Sequence, residues 1–247
     1  NGAGTIDVNA QTSTFSGVVA DGASAGSLTL SDSAGGGKLI LSGVNTYSGG
    51  TTLNAGTLSV ANDNNLGASA GALNFNGGTL QTTTGITSAR NMTLNGSGAV
   101  IDTQNLNSAF SGTIGGAGAL TTLGGGTLTL TGSNSYSGGT VLNAGKLNIN
   151  NASALGSGAL AFNAAGTLQT NAGLTLLNAI TLTANGTFDV LGNTTTLSGV
   201  ISGAGSLTST STGTLVLTGV NTYTGGTVVN AGVLNISKGS ALGAGAL

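Results

Sequence analysis

GGGKLILSGVNTYSGGTTLNAGTLSV, residues 35–60, returns as GGGTLTLTGSNSYSGGTVLNAGKLNI at 124–149 and as STGTLVLTGVNTYTGGTVVNAGVLNI at 211–236. The tyrosines set the long period: Tyr47 to Tyr136 is 89 residues and Tyr136 to Tyr223 is 87. A shorter beat runs inside it. Gly-x-apolar triplets begin at Gly37, Gly56, Gly78, Gly98 and Gly118, in steps of 19 to 22 residues. About 20 residues is one turn of a parallel β-helix, three short strands and their corners, so the sequence predicts an all-β solenoid of four or five turns per long repeat. At the 4.7–4.9 Å spacing of neighbouring strands, roughly 12 turns would span about 60 Å.

Within each copy the apolar residues alternate with period two, as strands with one buried side require. Leu39 with Leu41, Leu128 with Leu130 and Leu215 with Leu217 are expected to point inward, with Ile40, Thr129 and Val216 outward. Leu58 with Val60, Leu147 with Ile149 and Leu234 with Ile236 continue those columns. Asn-Ala-Gly at 54–56, 143–145 and 230–232 makes one corner, with Gly56, Gly145 and Gly232 free to take positive φ. The glycine pairs Gly49-Gly50, Gly138-Gly139 and Gly225-Gly226 make another. Residues 1–34 echo the end of a repeat, 35–123 and 124–210 are whole repeats, and 211–247 is part of a third. The chain is read as one continuous segment, opening late in one repeat and closing at Gly245-Ala246-Leu247 within another, and is expected to be a piece of a longer array.

Composition narrows the function classes. Glycine is 47 of 247 residues without a Gly-X-Y period, which excludes collagen. Only 4% of residues are charged, but the mean hydropathy of +0.32 and the regular Leu, Ile and Val positions argue against disorder. The four basic residues, Lys38, Arg90, Lys146 and Lys238, are scattered, so no nucleic-acid partner is expected. Cysteine is absent, which removes disulfides and thiolate metal sites. No stretch approaches the roughly 20 apolar residues of a membrane helix. No basic segment followed by an apolar one opens at Asn1, so a signal peptide is expected to be missing or already removed.

The pattern G-x-L-x-L-x-G-x-N-x-Y-[ST]-G-G-T-x-x-x-A-G-x-L, carried by Gly37–Leu58, Gly126–Leu147 and Gly213–Leu234, resembles the passenger-associated transport repeat, also called the autotransporter-associated β-strand repeat. Leu66-Gly67, Leu155-Gly156 and Leu242-Gly243 fit its "ALG" ending, with Asn65 in place of Ala in the first copy. The resemblance implies a right-handed parallel β-helix and the passenger of a Gram-negative type V secreted protein. It implies export through an outer-membrane β-barrel translocator and a place outside the cell or anchored at its surface. The expected role is a rigid structural or adhesive stalk supporting export, adhesion or aggregation. The implied partners are a ligand on a host or neighbouring cell, or further copies of the chain end to end or side by side. The alternative is a subunit of a self-assembling extracellular filament, favoured by the low charge.

A polysaccharide-active enzyme is the third possibility, and the carboxylates argue against it. There is no Glu, and Asp7, Asp102 and Asp189 hold equivalent places about 20 Å apart by rung spacing, too far for the roughly 5–10 Å pair of a glycosidase. Asp21 and Asp32 lie in neighbouring corners, where they are expected to be solvated loop acids within possible reach of each other. Histidine is absent, and the glycine pairs are followed by Thr instead of the Asp of a calcium-binding roll. No catalytic, metal or cofactor site is expected. Tyr47, Tyr136 and Tyr223 read two ways: a sparse surface row for stacking on a sugar or partner, or corner clamps behind Asn45, Asn134 and Asn221 with hydroxyls bonded to backbone.

Overall fold

The computed structural model describes residues 2–245, so Ala246 and Leu247 of the closing triplet lie outside the described residues. Every strand pair is parallel, and the chain winds past three faces in fixed order through about 11 turns. At the usual strand spacing that is roughly 53 Å of rod. From Lys38 onward, register partners on the second face lie 19 to 22 residues apart, for example Lys38 with Thr57 and Thr57 with Thr79. The first steps are longer, with Ala3 paired to Ser27 and Thr12 to Lys38.

Alternation builds the core. In Lys38–Leu41 the pleat turns Leu39 and Leu41 inward, fully buried, and leaves Ile40 half-exposed. Leu39, Leu58, Leu80 and Ile101 then stack in register. Leu128, Leu147, Leu168 and Phe188 form the equivalent column on the third face. Each such side chain contributes about 1.5–3 kcal/mol by leaving water, and since each touches only the turns above and below it, the core is a line. The column from Leu215 departs from expectation at its end. Leu234 is half-buried and Ile236 is 38% exposed, because no further turn of the described residues lies over them.

The two periods do not divide evenly, and this organises the molecule. Lys38–Leu41 lies on the second face, and four turns later that face is occupied by Leu120–Leu123. The counterpart of Lys38–Leu41 in the second copy, Thr127–Leu130, lies one strand further on, on the third face. In the third copy Thr214–Leu217 lies on the first face. Each repeat therefore advances four and a third turns, and successive copies are rotated by one face.

That rotation sets the sheet sizes. The segment that carries the Tyr of each copy is irregular and interrupts one face per copy. Tyr47 interrupts the third face, whose 8-stranded sheet starts only at Thr87–Ser88. Tyr136 splits the first face into 6-stranded and 4-stranded sheets. Tyr223 follows the last strand of the 10-stranded second face, Ile201–Ser202. Backbone bonds still run through the breaks, as from the Ser135 N–H to the Ile114 carbonyl (2.8 Å) and from the Ser157 N–H to the Tyr136 carbonyl (3.0 Å).

Candidate functional site

The irregular segments are tied to the turns on either side by side-chain hydrogen bonds, and the same three residue types, Asn, Tyr and Thr, build each. Asn45, Asn134 and Asn221 are buried. The Oδ1 of each accepts an N–H from the preceding turn: Val19 at 2.8 Å, Ile114 at 2.9 Å and Ile201 at 2.8 Å. The Nδ2 of each donates to a carbonyl of the following turn: Asn65 at 2.6 Å, Ala154 at 2.7 Å and Ala241 at 2.7 Å. One amide side chain thus replaces the ladder bonds that the missing strand would have supplied, across three successive turns.

Two residues on, each tyrosine enters the core. Tyr47, Tyr136 and Tyr223 are at most 2% exposed, so the surface-row reading is incorrect: alternate residues point inward here as in a strand. The rotation of the copies also puts the three rings behind three different faces. The hydroxyl partner differs from expectation as well. It is the side-chain Oγ1 of Thr51, Thr140 or Thr227, at 2.7, 2.6 and 2.5 Å, because the threonine four residues on is buried beside the phenol, and Tyr136 alone also reaches backbone as expected, at the Ala154 carbonyl (3.5 Å). Burial raises all three phenol pKa values against the pull of those hydrogen bonds, Tyr136 to about 12.

The glycines fit around the rings. In the next turn Gly67, Gly156 and Gly243 follow one-turn 3₁₀ helices, Asp63–Leu66, Ala152–Leu155 and Gly239–Leu242, with φ of +82°, +63° and +68°. A Cβ there would come within 2.2–2.5 Å of the tyrosine carbonyl below, so only glycine lets the chain pass over the ring. Gly50, Gly139 and Gly226 turn the corner at φ of 84–87°. Gly49, Gly138 and Gly225 lie against the backbone of the turn before, where a Cβ would meet atoms at 2.3–2.8 Å. Gly56, Gly145 and Gly232 have φ of 69–74°. These residues form a mechanical clamp: the Tyr and Thr hydroxyls bond each other, and the Asn amide bonds the backbone of the turns on either side.

The carboxylates are likewise engaged. Asp32 accepts N–H groups of Ala10, Gly37 and Gly35, which hold its pKa below the ordinary value. Asp21 accepts from Ser48 and Gly26, and these depress it too. Asp21 belongs to the corner of Ser48, whereas the carboxylate whose charge Asp32 feels is Asp7, which holds Ser33. Asp102 takes Gln81 and Gln104, and Asp189 takes Gln169. Asp7, Asp102 and Asp189 close strands on the first, second and third faces respectively, so they are separated around the rod as well as along it. None of the shifted carboxyls is raised, as a general acid at neutral pH requires.

Sequence reasoning missed Arg90. It is 2% exposed and donates five hydrogen bonds: Nε to Asp63 Oδ1 (3.0 Å), Nη1 to the Ala68 and Gly71 carbonyls (2.6 and 2.9 Å), and Nη2 to the Asp63 and Gly67 carbonyls (3.0 and 2.7 Å). It locks the first 3₁₀ turn from the turn that follows. The available signal was a lone Arg in a chain with four basic residues.

The passenger-associated-transport-repeat matches this chain three times, over residues 33–60, 120–149 and 207–236. The adhesin BmaC autotransporter of Brucella suis biovar 1 (strain 1330) is 42% identical over 98 residues, which is 40% of this chain and 3% of that protein. The chain therefore spans a small fraction of the curated relative it matches. No solved structure matches it.

Proposed function

We propose that this β-solenoid, which carries three passenger-associated-transport-repeats, is a rigid cell-surface segment of an autotransporter passenger from a Gram-negative bacterium, and that it carries adhesion. The observation that bears most weight is the clamp. Three times, Asn and Tyr tie a turn to its neighbours where a strand is interrupted, so the core runs unbroken through every repeat. A chain whose polar side chains are spent on holding turns together suits a load-bearing rod more than a reaction, and no catalytic role is assigned. Nearest-neighbour stabilisation and the lack of cysteine suit a chain that is threaded through an outer-membrane barrel and then folds turn by turn. The adhesin relative supports the adhesive role.

The test is in-frame excision of residues 35–210, two whole repeats, from the parent protein on the cell surface. Unchanged surface display with weaker attachment to a matrix-coated surface is the expected result. Unchanged attachment would overturn the adhesive role, and loss of display would assign the segment to export alone.

A further inference from the structure

The second copy contains the guanidinium site of the first without the guanidinium. Arg90 stands two residues before Met92, which pairs with Leu73, and its counterpart is Asn178, two residues before Ile180, which pairs with Leu160. Asn178 Nδ2 reaches the Gly156 and Gly158 carbonyls, at 3.1 and 2.6 Å. These match the Gly67 and Gly71 carbonyls bound by Arg90. The shorter side chain leaves an open cleft of about 490 Å³ lined by Ser135, Ala152, Ser157, Thr175, Leu177 and Asn178, among others. Ser157 corresponds to Ala68, whose carbonyl takes Nη1 of Arg90 in the first copy.

We propose that this cleft binds an arginine side chain presented by a partner polypeptide. Asn178 takes two of the four carbonyls that hold the guanidinium in the first copy, and the counterparts of the other two, Ala152 and Ser157, line the cleft beside Ser135 and Thr175, where a planar fork of donors matches carbonyl and hydroxyl acceptors. Leu177, 79% exposed at the rim, offers apolar surface to the aliphatic stem of the incoming residue. The cleft lacks the acid of the first copy, since Asp63 is replaced by Ala152, so an arginine binds it weakly. The inference does not depend on the cell-surface reading.

The test is titration of the 247-residue chain with acetyl-Gly-Arg-Gly-amide and, separately, acetyl-Gly-Lys-Gly-amide, read by backbone amide NMR. The arginine peptide should give saturable shifts at Ser135, Ser157 and Leu177, with the lysine peptide giving far smaller ones. Asn178→Arg, which fills the cleft from within, should abolish the shifts. Ala152→Asp, which restores the carboxylate, should tighten binding roughly tenfold, the scale of one charge-assisted hydrogen bond. Equal shifts with both peptides, shifts that survive Asn178→Arg, or no saturable binding even in Ala152→Asp would overturn the proposal.

Discussion

Asn134 and Tyr136 show how much of a turn two side chains can hold. Replacing Asn134 by Ala takes the acceptor from the Ile114 N–H and leaves the Ala154 carbonyl only the long bond from the Tyr136 hydroxyl, and should cost about 1–3 kcal/mol in chemical denaturation. The tyrosines make a pH prediction whose sign follows from linkage. With the folded pKa of Tyr136 raised to about 12 against 10.0 for a free phenol, the native state holds its proton longer than the unfolded chain. Stability from this group is complete below about pH 10 and lost as pH rises through 12. Phenolate absorbance followed alongside unfolding should show Tyr136 ionising only near or with the alkaline transition. A normal titration near pH 10 in the folded protein would contradict the burial. The sequence showed that these residues recur, but not which way they point. Tyr between Asn and Gly-Gly looks like a surface corner until the strand-like alternation is followed through it.

The 3₁₀ turn Asp63–Leu66 is held from outside itself, since a single turn has too few internal bonds to persist alone. Arg90→Ala removes five donors at once and leaves Asp63 without its cation, and should cost about 2–3 kcal/mol, the partial exposure of Asp63 softening the loss. Hydrogen exchange should then report opening confined to the turns around 63–71, with the turns beyond Thr127–Leu130 unaffected, as expected when each turn touches only its neighbours. The strands themselves were legible because period-two alternation directly encodes burial, as at Leu39, Leu41, Leu128 and Leu130. The Arg90 lock was not, because its partners lie 19 to 27 residues away and four of the five are backbone carbonyls, which carry no sequence signature.

Across the whole rod, a repeat of 87 or 89 residues wound at about 20 per turn advances four and a third turns, so like features face three directions in rotation. Both periods could be read from the sequence; the remainder between them could not, because corner lengths vary and only the strand pairing counts the faces. The displayed residue of each clamp, Val44, Ser133 or Val220, therefore points off a different side of the rod. The absence of cysteine makes this directly measurable: spin labels on Val44→Cys, Ser133→Cys and Val220→Cys, taken in pairs, give distances by pulsed electron resonance. With about 21 Å of axial rise per repeat and sides roughly 20 Å wide, the account predicts about 29 Å for 44–133 and about 46 Å for 44–220 by that spacing. Distances of about 21 and 42 Å, in the two-to-one ratio of labels along one edge, would contradict it.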